Sequence, residues 1–170
     1  MEIKTMSKSN IILLHGALGS SEQFSRLSEL LSSAANVYTF DFEGHGKNPN
    51  SGGRFSIEIF AENIIEFCRE KSVVQPFVFG YSMGGYASLF LEANHPGFFN
   101  GVAVLGVKYL WNPESAAKEI LSLNPDNILQ KAPKFAETLK KRHGDDEWTE
   151  VLRKTAEMMT KLGEKPMLNE

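Results

Sequence analysis

The chain is poor in cysteine, in long apolar runs and in excess charge, and each shortage removes a class of protein. Its one cysteine, Cys68, cannot form an internal disulfide and excludes a multi-cysteine zinc site. No stretch approaches the roughly 20 apolar residues of a membrane span. The N-terminus, MEIKTMSKSN, is polar, and the apolar run that follows, Ile11–Leu14, is too short for a secretory signal. A cytoplasmic protein with no membrane partner is the expectation. Eighteen basic side chains stand against 21 acidic ones, a net charge of -3, so there is no electrostatic reason to expect nucleic acid. No H-E-x-x-H, C-x-x-C or calcium-loop pattern occurs, and no nucleotide-binding glycine loop. Neither a metal nor a cofactor is expected.

What remains is an ordinary globular composition, 42% hydrophobic and 11% aromatic, in 170 residues. That length buries a core without staples. The two parts of the chain differ. Residues 1–110 hold 18 charged side chains, and the 60 residues after them hold 21. Eleven of the twelve phenylalanines lie at or before Phe99. Residues 1–110 therefore read as a sheet-centred core, and 111–165 as a helical cap.

Within the core, apolar runs alternate with helical periodicity. Asn10–Leu14, Val37–Phe40, Pro76–Phe79 and Gly101–Val107 read as strands. Ser20 with Gln23 forms a capping-box pattern ahead of a helix carrying Phe24, Leu27, Leu30 and Leu31. Ser56 caps a second helix whose stripe includes Ile57, Phe60, Ala61, Ile64 and Cys68. Met83–Asn94 is a third, stopped by His95-Pro96. Such alternation predicts an α/β protein with a doubly wound, mostly parallel sheet and ligands at the carboxyl ends of the strands. The tail predicts three cap helices: Ser115–Leu123, Asn127–His143 and Glu147–Leu162.

Chemistry concentrates in GYSMGG, Gly80–Gly85, a G-x-S-x-G between a strand and a helix. A tight strand-to-helix turn crowds its backbone, so small residues must flank Ser82. The turn lifts the hydroxyl into a cleft beside the amides of a helix N-terminus. The bland alternative is that Ser82 only caps the helix. A second loop, His15-Gly16-Ala17-Leu18-Gly19-Ser20, follows the first strand. Acyl transfer needs two N–H donors aimed at the developing oxyanion. Met83, after the serine, and Ala17, in this loop, are the candidates.

LLHGALGS, DFEGHGKN and GYSMGG together resemble the oxyanion loop, the loop after the next strand and the nucleophile elbow of the α/β-hydrolase superfamily. The resemblance covers residues 10–107. It implies strand order 2-1-3-4, Ser82 as nucleophile, Ala17 and Met83 as oxyanion donors, and a small-molecule acyl substrate, a carboxylic ester foremost. It also implies an acid and then a histidine after the serine, on later strand ends. No such strands follow, so the chain reads as an incomplete, C-terminally truncated α/β-hydrolase fold with impaired activity.

Among the histidines, His15 and His45 are expected to hold their loops, and His95 to sit at a helix end. His143 is the one candidate base by position, although its place before Gly144 marks a helix terminus. His15, Tyr81 and Trp111 are candidate pocket-lining residues; Trp111 and Tyr109 could equally pin the cap. Met158 and Met159 read as helix packing, and Lys140-Lys141-Arg142 as a solvated helix end. Residues 101–107 would leave an apolar sheet edge, which predicts a homodimer or larger assembly through that strand. Two rivals stay open. HGALGS also looks like the loop of the SHCHC synthases, lyases of the same fold. A catalytically dead interaction module is the other.

Overall fold

The four apolar runs form four parallel strands in the order β2-β1-β3-β4, in a computed structural model that describes residues 8–49 and 52–168. They are β1 (Ser9–Leu14), β2 (Ala35–Thr39), β3 (Phe77–Tyr81) and β4 (Gly101–Leu105). The registers bring Ile11 beside Val37 on one side and Phe77 on the other, and Tyr81 beside Leu105. β1 lies inside the sheet, and its Ile12, Leu13 and Leu14 are fully buried. That is why it reads as a continuous apolar run rather than an alternation. β4 ends at Leu105, two residues short of the run predicted from sequence, because Gly106 turns the chain at φ +65°.

Helices α1 (Ser25–Leu31), α2 (Ile57–Glu70) and α3 (Met83–Asn94) follow the first three strands. The Ser56 hydroxyl accepts a hydrogen bond from Ile59 N–H and caps α2, whose Ile57, Phe60, Ala61, Ile64 and Cys68 are buried. Beside α2 lies α3, buried along its first turns. The Ser20–Gln23 capping box does not form. Ser20 makes no capping bond, and its buried hydroxyl has no protein partner. A carboxylate from the loop after β2 takes its place: Asp41 Oδ1 accepts from Ser21 N–H at 2.6 Å. The segment accordingly opens as a 3-10 turn, Ser21–Phe24, before α1.

After β4 the described residues form four α-helices, not three: α4 (Pro113–Ile120), α5 (Pro125–Lys131), α6 (Pro133–His143) and α7 (Trp148–Glu164). The long helix expected over 127–143 breaks at Ala132, which takes φ −142° and ψ 57°. Pro133 causes this, since the residue before a proline is driven out of the helical region. Each of α4, α5 and α6 starts on a proline, where the missing N–H costs nothing. Leu123, Ile128, Ala136, Leu139, Trp148 and Leu152 make a core of the cap's own. Val151, Met158 and Leu162 of α7 instead join the sheet core. α7 is thus the beam shared by both layers. Among the described residues no helix is long and apolar enough to cross a membrane.

Candidate active site

Ser82 occupies the junction of β3 and α3 at φ +50° and ψ −113°, a conformation that L-residues rarely adopt. Three constraints hold it there. Its N–H donates to the Leu105 carbonyl of β4 at 2.9 Å, and its carbonyl accepts the first helical bond from Tyr86 N–H at 2.9 Å. The surroundings leave no room for side chains. A β-carbon on Gly80 would stand 2.4 Å from Gly85 Cα, and one on Gly84 2.6 Å from the His15 carbonyl oxygen. The third constraint is the oxyanion-type loop itself. A β-carbon on Gly16 would meet the Tyr81 ring at 2.9 Å and Ser82 Cβ at 3.1 Å, so loop and elbow touch.

The Ser82 side chain makes no capping hydrogen bond to the helix it precedes. Its chemistry is not spent on structure. Met83 is the first residue of α3, where an N–H has no intrahelical acceptor. Ala17 lies in a turn closed by Gly19 N–H on the Gly16 carbonyl at 3.0 Å. Ala17, Ser82, Met83 and Trp111 line one small pocket of about 40 Å³, with Tyr86 and Lys108. Lys108 Nζ sits 5.1 Å over the Trp111 ring and pairs with Glu119 at 2.8 Å. A larger cavity of about 290 Å³ shares Ile57, Met158 and Leu162 with this pocket.

Two of the proposed lining residues are elsewhere. His15 is fully buried under its loop rather than on the pocket wall. Tyr81 stands between Gly16 and Gly106, 42% exposed, beside Leu105. It is not among the residues that line the pocket with Ser82. Two residues read as packing alone, Met158 and Met159, are on that wall. Their helical spacing gave no means of telling a core stripe from a pocket wall.

All four histidines fall within the described residues, and none is free beside Ser82. His15 Nδ1 bonds the Gly16 carbonyl at 2.8 Å, and its Nε2 accepts from Phe42 N–H at 3.1 Å. The acceptor role fixes the tautomer, with the proton on Nδ1. Burial pulls its pKa down to about 4. His45, also fully buried, bonds the Glu43 carbonyl through Nδ1 and stacks on Phe55 at 4.9 Å. Burial, reinforced by His15, lowers it to about 3. His143 accepts from Gly46 N–H at Nδ1 (3.1 Å) and donates from Nε2 to the Leu18 carbonyl (3.1 Å). Burial lowers its pKa too. With both ring nitrogens engaged, it is a strut between cap and core, not the base that its position allowed. His95 is exposed at the far end of α3, about 20 Å along the helix from Ser82 at 1.5 Å per residue.

Arg142 also departs from expectation. It is not a free solvated end, because its Nη1 donates to the same Leu18 carbonyl at 2.5 Å. Asp41 organises the facing loop. Burial pushes its carboxyl pKa up, but the N–H groups of Lys47 and Ser21 outweigh that and hold it below the usual range. Among the described residues no cluster of metal-ligating side chains occurs.

A family model for the alpha/beta hydrolase fold matches residues 10–163. The chain belongs to this family. Human monoglyceride lipase is 29% identical over 135 residues, which cover 71% of this chain and 44% of the lipase. A probable alcohol acetyltransferase of Wickerhamomyces anomalus is 29% identical over 97 residues, 56% of this chain and 28% of that protein. Among solved structures, NosK from Streptomyces actuosus superposes with a TM-score of 0.77 at 17% identity, over 96% of this chain and 70% of that one. A Paleococcus ferrophilus monoacylglycerol lipase gives 0.58 at 21% identity, over 91% and 69%. The solved structures share the fold. The chain spans less than half the length of the curated relatives it matches.

Proposed function

We propose that Ser82 is the nucleophile of an acyl-transfer reaction, with the N–H groups of Ala17 and Met83 as its oxyanion donors. The carrying observation is the elbow itself: a strained serine whose hydroxyl makes no capping bond, in one pocket with Ala17 and Met83. In this reading Ser82 Oγ forms a bond to the carbonyl carbon of a carboxylic ester, and its proton passes to a base. The carbonyl electrons move onto oxygen, where the two amides stabilise them. The tetrahedral species collapses by breaking the C–O bond to the alcohol, which takes up a proton. Water, or a second alcohol, then attacks the acyl-serine and frees the enzyme.

The base is the missing part. His15 and His143 use both ring nitrogens elsewhere, His45 is enclosed against Phe55 with Nδ1 on the Glu43 carbonyl and Nε2 without a partner, and His95 is remote, so none of the four is placed as the base of Ser82. In this reading the whole protein supplies its acid and histidine from outside these 170 residues. The 170-residue chain alone is expected to retain only the rate that binding and the oxyanion site supply, on the order of 10³-fold over water. Rapid acid quench of the full-length protein during turnover of p-nitrophenyl acetate tests the reading. Mass spectrometry is expected to find acetyl on the Ser82 peptide. Turnover with no acyl-serine would contradict the reading of Ser82 as nucleophile, and no turnover would favour the lyase alternative, in which the serine acts as a base on another substrate.

A further inference from the structure

Two hydrogen bonds from the cap to the oxyanion loop converge on one atom. Leu18 O, one residue beyond the Ala17 amide, accepts from Arg142 Nη1 at 2.5 Å and from His143 Nε2 at 3.1 Å. Both donors come from the C-terminal end of α6. We infer that Arg142 and His143 are positioning residues that set the Ala17 amide through this grip on Leu18, so that the cap is a working part of the oxyanion site. The inference rests on the reading of Ser82 as an acyl acceptor.

Three further observations bear on it. Leu18 sits at φ +59°, a left-handed conformation that a leucine does not hold unaided. It is an inner residue of the turn closed by Gly19 N–H on Gly16 O, so relaxing Leu18 moves the turn that carries Ala17. Its side chain packs against both the sheet core and the cap core. The grip is anchored on its other side as well. His143 Nδ1 accepts from Gly46 N–H, which ties the same imidazole to the loop after β2. One ring therefore fixes the cap to both loops at the strands' carboxyl ends. A displacement of about 1 Å at a reacting centre costs on the order of 100-fold in rate. Removing an oxyanion donor outright costs 10²–10³-fold, by order of magnitude.

The test uses the full-length protein, p-nitrophenyl acetate as substrate and phenylboronic acid as a mimic of the tetrahedral oxyanion at Ser82. His143→Ala is expected to lower kcat about 10- to 100-fold with KM within about twofold, and to weaken the boronate in proportion. His143→Gln retains one donor and one acceptor in similar positions, and is expected to restore most of both. Arg142→Ala, which leaves the ring in place, is expected to give a smaller loss of the same kind and serves if His143→Ala does not fold. An unchanged kcat in the folded variants would overturn the inference. So would a lowered kcat with the boronate affinity intact, or a Gln variant as impaired as the Ala one. The failure of the acyl-transfer reading is separable: Ser82→Ala would then leave turnover unchanged. In that event the amide resonance of Ala17 in 15N-labelled protein still decides. A shift in His143→Ala that returns in His143→Gln supports the grip, and an unmoved resonance refutes it.

Discussion

The elbow around Ser82 and the joint between cap and core solve the same problem, holding a loop in an improbable conformation, by opposite means. At the elbow the work is done by missing atoms. Gly80, Gly84 and Gly85, all within six residues of sequence, let backbone approach to distances that no β-carbon tolerates, Gly80 against Gly85 and Gly84 against the carbonyls of Leu14 and His15. At the joint the work is done by side chains that arrive from far away. Arg142 and His143 reach Leu18 across 124 and 125 residues, and Gly46 meets His143 across 97. The difference predicts how each region answers mutation. The elbow has no tolerance, because backbone oxygens cannot move aside. The joint tolerates any side chain that reproduces its hydrogen bonds.

The largest expected effect is chemical. Ser82→Ala is expected to reduce ester turnover of the full-length protein by at least about 10⁴-fold with its melting temperature nearly unchanged. A loss of fold instead would mean that the hydroxyl is structural after all. Next comes the test of the elbow's rigidity. Gly84→Ala places a methyl against the carbonyl oxygens of Leu14 and His15, and should cost more than about 3 kcal/mol in urea unfolding. A nearly neutral result would erase the contrast between the two regions.

Leu139→Ala probes the cap from within. It opens a cavity in the small cap core and should cost about 2–4 kcal/mol. One cooperative transition is expected, because α7 belongs to both cores; two separate transitions would divide the molecule at the joint. The buried histidines His15 and His45 give the fold's stability a pH dependence. In the fold His15 and His45 stay neutral down to about pH 4 and 3, whereas unfolded they bind a proton near 6.5. The unfolded chain therefore holds more protons below pH 6.5. Stability is full above that value and declines as pH falls, by about 1.4 kcal/mol per pH unit for each ring, until each folded pKa is reached. Denaturant titrations from pH 7.5 to 4.5 check the slope, and His45→Phe should flatten it. The smallest effect belongs to Cys68. Burial raises its thiol to about 11, so thiol reagents should leave the folded protein untouched, and Cys68→Ala should cost about 1 kcal/mol.

The same contrast explains what could be read from the amino acids. The strands and the serine elbow are short-range patterns, written in apolar runs and glycines that are neighbours in sequence. The placement of Ser82 between β3 and α3 follows from them, whereas the strand order β2-β1-β3-β4 agrees with what the resemblance to the α/β-hydrolase superfamily implies. Partners distant in sequence left no such trace. Asp41 replaced Ser20 as the cap of the turn before α1, and nothing near Ser20 announced it. Arg142 reads as part of a solvated helix end and His143 as a helix terminus, because their shared partner, the Leu18 carbonyl, has no sequence signature. Met158 and Met159 lie on a helical stripe, and periodicity does not distinguish a stripe that faces a pocket from one that faces a core. Pro133 breaks the helix expected over 127–143, and the expectation follows the apolar spacing on either side of it without weighing the proline.

The most direct measurement is the site of phosphonylation. The full-length protein treated with a fluorophosphonate, in which attack by a serine oxygen on phosphorus expels fluoride, is digested and its peptides are weighed. A single adduct on the peptide bearing Ser82, absent from Ser82→Ala, is the expected result. An unmodified Ser82, or an adduct on another serine that survives the substitution, would contradict the account.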